Sequence, residues 1–356
     1  MHRSLICLLI VLSGCAQKTR PPSLALKIIK AKSESFTYTS ALPLKDLSSI
    51  KQVNTIAFGC CAHQGQAQDL WEQVTEAKPD LFLFAGNTVN SVRFDEKPLM
   101  AQYQKLDQVP SYQKIRQSIP FMATWDEQDY GIKNGDGEYH DKDEARTAFL
   151  KYWNYIPKVQ DKEAKGVEHS VILGPEGKRV QIIMLDTRYY SSALRANGEG
   201  SFRKNWNSKA SLIGSQQWQW LKEELSKPAD FRIVVSPLQL GANSYPGEKW
   251  GLYPLERQKL FNTIRDLKVK NIVFVSGNRR FGAIAKVDLK RYGALYDVTS
   301  GPINGEPEKA EKDSHYIGKP SESINFGLIQ FDWKKDTVKI ELRDNGNKLI
   351  SELKLR

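Results

Sequence analysis

The chain of 356 residues has little cysteine and no apolar run long enough to cross a bilayer. It contains four cysteines, and only Cys60 and Cys61 follow residue 15. Bridged cysteines prefer Cα atoms about 5.5 Å apart, which adjacent residues reach only with distortion. We therefore expect two thiols, at least one of them buried. The sequence gives no reason to expect a disulfide-stabilised fold.

The first 14 residues predict a targeting segment. A basic start at Arg3 precedes an apolar run from Leu5 to Leu12, which is shorter than the ~20 residues of a membrane span. The run ends in Ser13-Gly14-Cys15, which resembles a bacterial lipobox with Cys15 as the lipidated residue. The alternative is a cleaved secretory signal with a chance cysteine. Ala16 after Cys15 favours an outer-membrane lipoprotein that faces the periplasm, held by its acyl chains as a membrane partner.

A clustered basic surface of the kind that binds nucleic acid is also missing. The formal net charge is +11, and removal of residues 1–14, with their single charge at Arg3, would leave +10. The lysines and arginines are scattered, with no basic helix and no basic strand studded with aromatics. We expect no nucleic acid partner. The overall charge suits anionic partners, although a solvated basic surface explains it as well.

Buried strands alternate with amphipathic helices from residue 55 onwards, which predicts an α/β fold. The C-terminal segments alternate apolar and polar residues, with an Asn-Gly hairpin signal at 345–346. We expect antiparallel strands there, after an exposed loop over 305–323. The predicted organisation is a signal peptide (1–14), a lipid-anchored tether and first strand (15–50), a main domain (51–300), and a loop with a C-terminal β segment of the same domain (301–356).

Several short sequence blocks stand in a fixed order between residues 55 and 281. They are Phe58-Gly59-Cys60-Cys61, Lys78-Pro79-Asp80, Gly86 to Asn90, Trp125 to Gly131, Leu185 to Tyr189, Gln217-Trp218 and Ser276 to Arg280. Together these blocks resemble the PhoD-type alkaline phosphatases (alkaline phosphatase D), a branch of the metallophosphoesterase superfamily. The resemblance implies a two-sheet α/β sandwich of metallophosphoesterase type with C-terminal antiparallel strands.

Most of the positions at which the resemblance implies a metal ligand carry a different residue here, although Cys61 matches the family's thiolate ligand. Asn87 and Asn278 stand where the family has Asp, Gln128 and Arg280 stand where it has His, and Asn90 stands where it has Tyr. An amide offers one weak neutral ligand in place of a bridging carboxylate. Lys133 and Arg280 add positive charge where cations are held. These degenerate positions predict a pseudoenzyme without a metal cofactor.

Two other functions stay open. A working phosphomonoesterase or phosphodiesterase would need an altered centre built from Cys61, Asp126 and Asp129, holding calcium, iron or zinc. A structural envelope component would contact lipid, peptidoglycan or an envelope protein.

A metal-free anion site is the positive expectation. Lys133, Arg188, Arg279 and Arg280 would converge on the former metal site, because Arg and Lys hold phosphate or carboxylate without metal. The ligand would be phosphate, a phosphoester or an acidic glycan. Asp186 and Arg188 have a second interpretation as a buried structural pair.

Overall fold

The computed structural model describes residue 42 and residues 44–91, 99–198, 201–244 and 247–355. Residues 1–14 and Cys15 lie outside these ranges, so the predicted signal and lipid anchor stay predictions. Residues 44–50 contain one 3₁₀ turn, Leu47–Ser49. Within the described ranges, no helix is both long enough and apolar enough to cross a membrane.

The first sheet has six strands in the order β14-β13-β12-β1-β2-β3. Strands β1, β2 and β3 run parallel, whereas β12 pairs antiparallel with β1, and β13 and β14 continue the antiparallel ladder. The C-terminal strands β12, β13 and β14 are therefore antiparallel, as the alternating sequence predicts, and they extend the first sheet at one edge. The bounds are β1 (Thr55–Gly59), β2 (Leu81–Ala85), β3 (Phe121–Thr124), β12 (Asn325–Asp332), β13 (Thr337–Asp344) and β14 (Leu349–Leu355).

The second sheet has the order β10-β11-β9-β8-β5-β4, and β6 and β7 form a separate hairpin. Strands β5, β8, β9 and β11 are parallel, with β4 and β10 antiparallel at the edges. The bounds are β4 (His169–Leu173), β5 (Val180–Met184), β6 (Arg195–Ala196), β7 (Phe202–Arg203), β8 (Phe231–Ser236), β9 (Ile272–Ser276), β10 (Ala283–Leu289) and β11 (Gly293–Thr299).

The two sheets share one core, and helices cover their outer faces. Ile182 and Met184 of β5 belong to the main cluster with the first sheet, whereas Ile183 between them packs in a second cluster with α7 and α8. This period of two is expected for a strand buried on both faces. The helices are α1 (Leu70–Glu76), α2 (Leu99–Leu106), α3 (Pro110–Ser118), α4 (Glu127–Tyr130), α5 (Lys142–Tyr152), α6 (Ile156–Val159), α7 (Gly214–Ser226) and α8 (Pro254–Asp266).

The segment 305–323 is less exposed than predicted. Its Glu311 side chain is buried and pairs with Lys249 at 2.7 Å and with Arg279 at 2.9 Å. Asp313 accepts the backbone N–H groups of Asn243 and Ser244. The polar composition that suggested a solvated loop instead supplies ion pairs, which hold the segment against the end of the sandwich.

Candidate functional site

A cleft of about 710 Å³ lies where parallel strands of both sheets end. The turns after β1, β2, β3 and β9 supply most of its wall. Four non-glycine residues of these turns have positive φ: Cys61 (65°), Asn87 (53°), Asn278 (62°) and Arg280 (52°). Non-glycine residues with positive φ are uncommon, and they cluster at functional sites. The replaced positions of the sequence therefore meet in one place.

The carboxylate of Asp126 is the centre of the wall behind this cleft. Its Oδ1 accepts the Nε and Nη2 of Arg188 at 2.7 and 2.5 Å. Its Oδ2 accepts the side-chain amides of Asn278 at 2.7 Å and Asn87 at 3.2 Å. Asp126 is fully buried. Its negative charge is thus already balanced by a guanidinium and two amide donors.

Hydrogen bonding fixes the orientation of the Asn87 amide. Asn87 Oδ1 accepts the backbone N–H of Gln128 at 2.9 Å, so the amide nitrogen is the atom that faces Asp126. An Asp at position 87 would direct oxygen lone pairs at Asp126, whereas the Asn87 amide directs its N–H hydrogens there.

Arg188, which is predicted to bind an external anion, lies buried behind the cleft and pairs with carboxylates of the protein itself. Its five N–H donors all have partners, because Nη1 reaches the Gly135 carbonyl and Glu248, and Nη2 reaches Asp126 and Glu248. Burial alone would lower the pKa of Arg188, but Asp126 and Glu248 raise it well above its usual range. The guanidinium of Arg188 does not pair with Asp186. The Asp186 carboxylate instead accepts the backbone N–H groups of Val167, Arg188 and Tyr189.

Glu248 is the residue that the sequence analysis missed here. It lies 60 residues from Arg188 in a segment without a recognisable pattern. The only available signal was indirect, since a buried arginine facing one carboxylate needs further acceptors. We call Asn87, Asp126, Arg188, Glu248 and Asn278 the floor of the cleft.

Asp129, which is predicted as a ligand only if a residual metal centre exists, is not among the residues that line the cleft. Its carboxylate accepts the backbone N–H of Thr88 at 3.0 Å, the Thr88 hydroxyl, the Tyr103 hydroxyl at 2.9 Å and the N–H of Asp126 at 3.3 Å. Burial raises the pKa of Asp129 to about 6 in spite of these bonds. It therefore joins the start of α4 to the turn after β2, as a helix-start carboxylate does.

The expectation of two thiols is also wrong, because Cys60 and Cys61 form a disulfide with Cα atoms 3.8 Å apart. In a regular strand, successive side chains point to opposite faces. The positive φ of Cys61 breaks this alternation directly after β1. Both residues are buried, and Cys61 lines the cleft. A sulfur bonded to its neighbour is not a thiolate ligand.

Metal ions of the kind that the resemblance implies do not fit these residues. The buried carboxylates of Asp126 and Glu248 are both paired with Arg188, and amide hydrogens of Asn87 and Asn278 occupy the other oxygen of Asp126. Across the described ranges, no group of three or more His, Cys, Asp or Glu side chains is arranged to hold a metal ion. The groups that face the former site are amide N–H groups and a guanidinium rather than free oxygen or nitrogen lone pairs, so they disfavour a bound cation.

Charged side chains of both signs stand around the mouth of the cleft. The lining includes four basic and four acidic residues: Lys133, Arg279, Arg280 and Lys309, with Glu127, Glu248, Glu306 and Glu308. We call Lys133, Arg280, Glu306, Glu308 and Lys309 the rim. Asn90, Gln128, Asn134 and Phe202 complete most of the wall.

The other three predicted anion-binding residues do line the cleft, but they differ in their partners. Arg279 pairs with Glu311 at 2.9 Å. Arg280 donates through Nε and Nη2 to the carbonyl of Glu306 at 3.1 and 2.8 Å. Lys133 is exposed and has no polar partner among the described residues. Lys133 and the remaining donors of Arg280 are thus the cationic groups best placed to meet a ligand.

Glu127 is a further cleft residue that the sequence analysis did not select. It accepts the backbone N–H of Asn134 at 2.8 Å. Burial raises the pKa of Glu127 to about 7, although Arg188 acts in the opposite direction. A carboxyl group with this pKa exchanges its proton near neutral pH, so the charge of the cleft depends on pH.

The fold is that of the metallophosphoesterases. A structure of PhoD superposes with a TM-score of 0.67 at 16% identity, covering 87% of this chain and 70% of that one. Purple acid phosphatase PPD1 from yellow lupin seeds gives 0.58 at 10% identity, covering 85% of this chain and 54% of that one. GAP50, the anchor in the inner membrane complex of Plasmodium, gives 0.54 at 14% identity, with 86% and 89% covered.

The profile of the PhoD-like phosphatases matches residues 94–326. The chain therefore belongs to the PhoD-like phosphatase family. Alkaline phosphatase D of Bacillus subtilis (strain 168) is 23% identical over 238 residues, which are 59% of this chain and 40% of that protein. The match thus spans less than half of this curated relative.

Proposed function

We propose that this chain is a PhoD-like protein that has exchanged metal-dependent catalysis for binding. The observation that carries the proposal is the floor, where Arg188 and two amides take the positions around Asp126 that cations would need. A bound cation there would face a guanidinium within a buried site, and that repulsion is severe. The floor instead stabilises the cleft without metal.

The experiment pairs metal analysis with an esterase assay. Purified protein should carry calcium, iron and zinc far below one equivalent. It should not hydrolyse p-nitrophenyl phosphate or its bis-ester. Near-stoichiometric metal together with hydrolysis that Cys61→Ala abolishes would overturn the proposal and restore the phosphoesterase alternative.

The ligand we propose for the cleft carries an anionic group, such as a phosphate, phosphoester or acidic glycan. Lys133 and Arg280 support this, since each charge-assisted hydrogen bond contributes roughly 1.5–3 kcal/mol. The four acidic residues of the lining disfavour a densely charged polyanion. A small anion on an otherwise polar or sugar-like body fits the mixture of amides and charges better.

Calorimetric titration with phosphate, a phosphomonoester and an acidic glycan tests this ligand class. Arg280→Ala and Lys133→Ala should each weaken binding roughly tenfold, whereas Lys290→Ala, an exposed lysine beyond β10, should change nothing. Absence of binding by the wild type, or equal binding by all variants, would contradict it.

We further propose that lipidation at Cys15 anchors the protein in the cell envelope. The lipobox-like sequence supports this, and two readouts test it: mass spectrometry of the mature N-terminus, and loss of membrane fractionation on Cys15→Ser. A scaffold role would agree with the structural similarity to GAP50, a protein described as the anchor in the inner membrane complex of Plasmodium. Co-purification of an envelope protein with the anchored chain would test that role.

A further inference from the structure

The hairpin of β6 and β7 places two arginines directly opposite each other. Arg195 pairs with Arg203 across the strands, and both side chains are exposed. Like charges at facing positions destabilise a hairpin. Neither arginine has an acidic partner among the described residues. Such an arrangement is stabilised when an anionic partner covers it.

The surroundings of this pair are basic as well. Residues 191–210 contain Arg195, Arg203, Lys204 and Lys209 against a single acidic residue, Glu199, at a position that the structure does not describe. Along the chain these charges are spaced apart and form no basic run. Folding gathers them, because the hairpin returns Arg203 to the side of Arg195.

An exposed tryptophan completes the surface. Trp206 is 61% exposed, more than any other large apolar side chain described. The neighbouring Asn205 donates its N–H to the Leu252 carbonyl at 2.7 Å, which ties this loop to the start of α8. Leu255, the second residue of α8, is also exposed at 45%. An exposed Trp beside Arg and Lys is the composition that proteins place at a membrane interface.

The opposite face of the hairpin is anchored in the protein. Phe202 packs against the second hydrophobic cluster and lines the cleft. Successive residues of a strand point to opposite faces, so the Arg195 and Arg203 pair points away from Phe202. The basic face therefore stands on the outside of a wall of the cleft.

We propose that the basic hairpin, together with Trp206, docks on an anionic phospholipid surface. The docked face would consist of Arg195, Arg203, Lys204, Trp206 and Lys209. Trp206 sits at the level of the headgroups and the cations pair with lipid phosphates. Arginine and lysine near an anionic bilayer each strengthen association about fivefold. Docking would place the outer side of this cleft wall, whose inner side carries Phe202, against the membrane surface.

A lipid surface fits better than an acidic polymer. Single-stranded polyanions are held by several aromatic platforms in series, whereas this surface has one tryptophan. The inference uses the proposed lipid anchor for proximity only, since a tethered chain needs just a weak second contact. The test below separates the two proposals.

The experiment measures where Trp206 lies when the full-length protein is reconstituted with vesicles. Brominated phospholipids quench tryptophan, and a Trp206→Phe variant isolates the contribution of this residue from the other seven. We expect quenching that depends on Trp206 in vesicles with phosphatidylglycerol and much less in pure phosphatidylcholine. Arg195→Ser with Arg203→Ser should lower the docking constant roughly 25-fold.

A matched variant removes two exposed lysines elsewhere, Lys286→Ser with Lys290→Ser, and should leave the quenching unchanged. Protein that floats with vesicles but shows no Trp206-dependent quenching would overturn docking while leaving the anchor intact. A fluorescence change of Trp206 with soluble polyphosphate but not with vesicles would assign the surface to an acidic polymer instead. Failure to float with either vesicle would overturn both the anchor and the docking.

Discussion

The floor and the rim of the cleft hold similar kinds of charge in opposite environments. On the floor, Asp126, Arg188 and Glu248 are buried and satisfy one another. On the rim, Lys133, Glu306, Glu308 and Lys309 are exposed. Buried charges are costly when unpaired, whereas exposed charges contribute little to stability. The difference implies that the floor maintains the fold, whereas the rim is the part of the cleft where we propose that the ligand binds.

Arg188→Met should have the largest effect, because it removes the one cation of the floor. Asp126 and Glu248 would then be buried without compensation, and we expect a loss of about 3–5 kcal/mol in the free energy of unfolding. Urea denaturation measures it. Lys133→Met, on the exposed rim, should change stability by less than ~0.5 kcal/mol. Equal effects of the two variants would show that floor and rim do not differ.

Glu311→Ala should come next, since Glu311 holds both Lys249 and Arg279. Burial alone would raise the pKa of Glu311, but Arg279 and Lys249 hold it below its usual range. We expect a loss of about 2–3 kcal/mol, less than on the floor because Arg279 reaches solvent. Limited proteolysis within 305–323 should also accelerate. Glu308→Ala, on the exposed rim, is the control, and unchanged cleavage in both variants would refute this role for the ion pairs.

The strands were predictable because buried β-branched runs leave few alternatives to a strand. The antiparallel C-terminal strands follow the sequence prediction closely, and β13 and β14 are joined across the Asn-Gly signal at 345–346. The meeting of the replaced ligand positions was also predictable, since each follows a parallel strand. The acidic partners of the buried cations were not predictable, because Glu248 and Glu311 lie in irregular segments. Their contacts come from tertiary packing rather than from any periodic pattern.

Asn278→Asp tests the donor role of this amide on the floor. The new carboxylate would face Asp126 Oδ2, which now accepts the Asn278 amide at 2.7 Å. Repulsion between the two should lower stability by about 2 kcal/mol near pH 8. Much of the loss should return near pH 5, where the pair can share a proton. Asn278→Ala loses only a hydrogen bond and should show no such pH dependence. Similar curves for both variants would mean that the amide does not donate to Asp126.

Glu127→Gln addresses the boundary between floor and rim, and its effect should be the smallest. The pKa of about 7 in the folded protein lies above the ~4.3 of an unfolded chain. The folded state thus binds this proton more tightly. The stabilisation from it is fully present below about pH 4 and is lost as the pH rises through 7.

The glutamine variant lacks this titration. Between pH 5 and 8, its free energy of unfolding should therefore rise by about 1 kcal/mol relative to that of the wild type. This energy is smaller than the full pKa shift of Glu127 implies, because the half-buried side chain is partly screened by solvent. Stability curves of the two proteins against pH measure it, with Glu308→Gln as the exposed control. Titration of Asp129 is common to both proteins and cancels in the difference. Parallel curves would place Glu127 with the solvated rim, because only a group desolvated beside Asp126 and Glu248 titrates differently in the folded and unfolded chains.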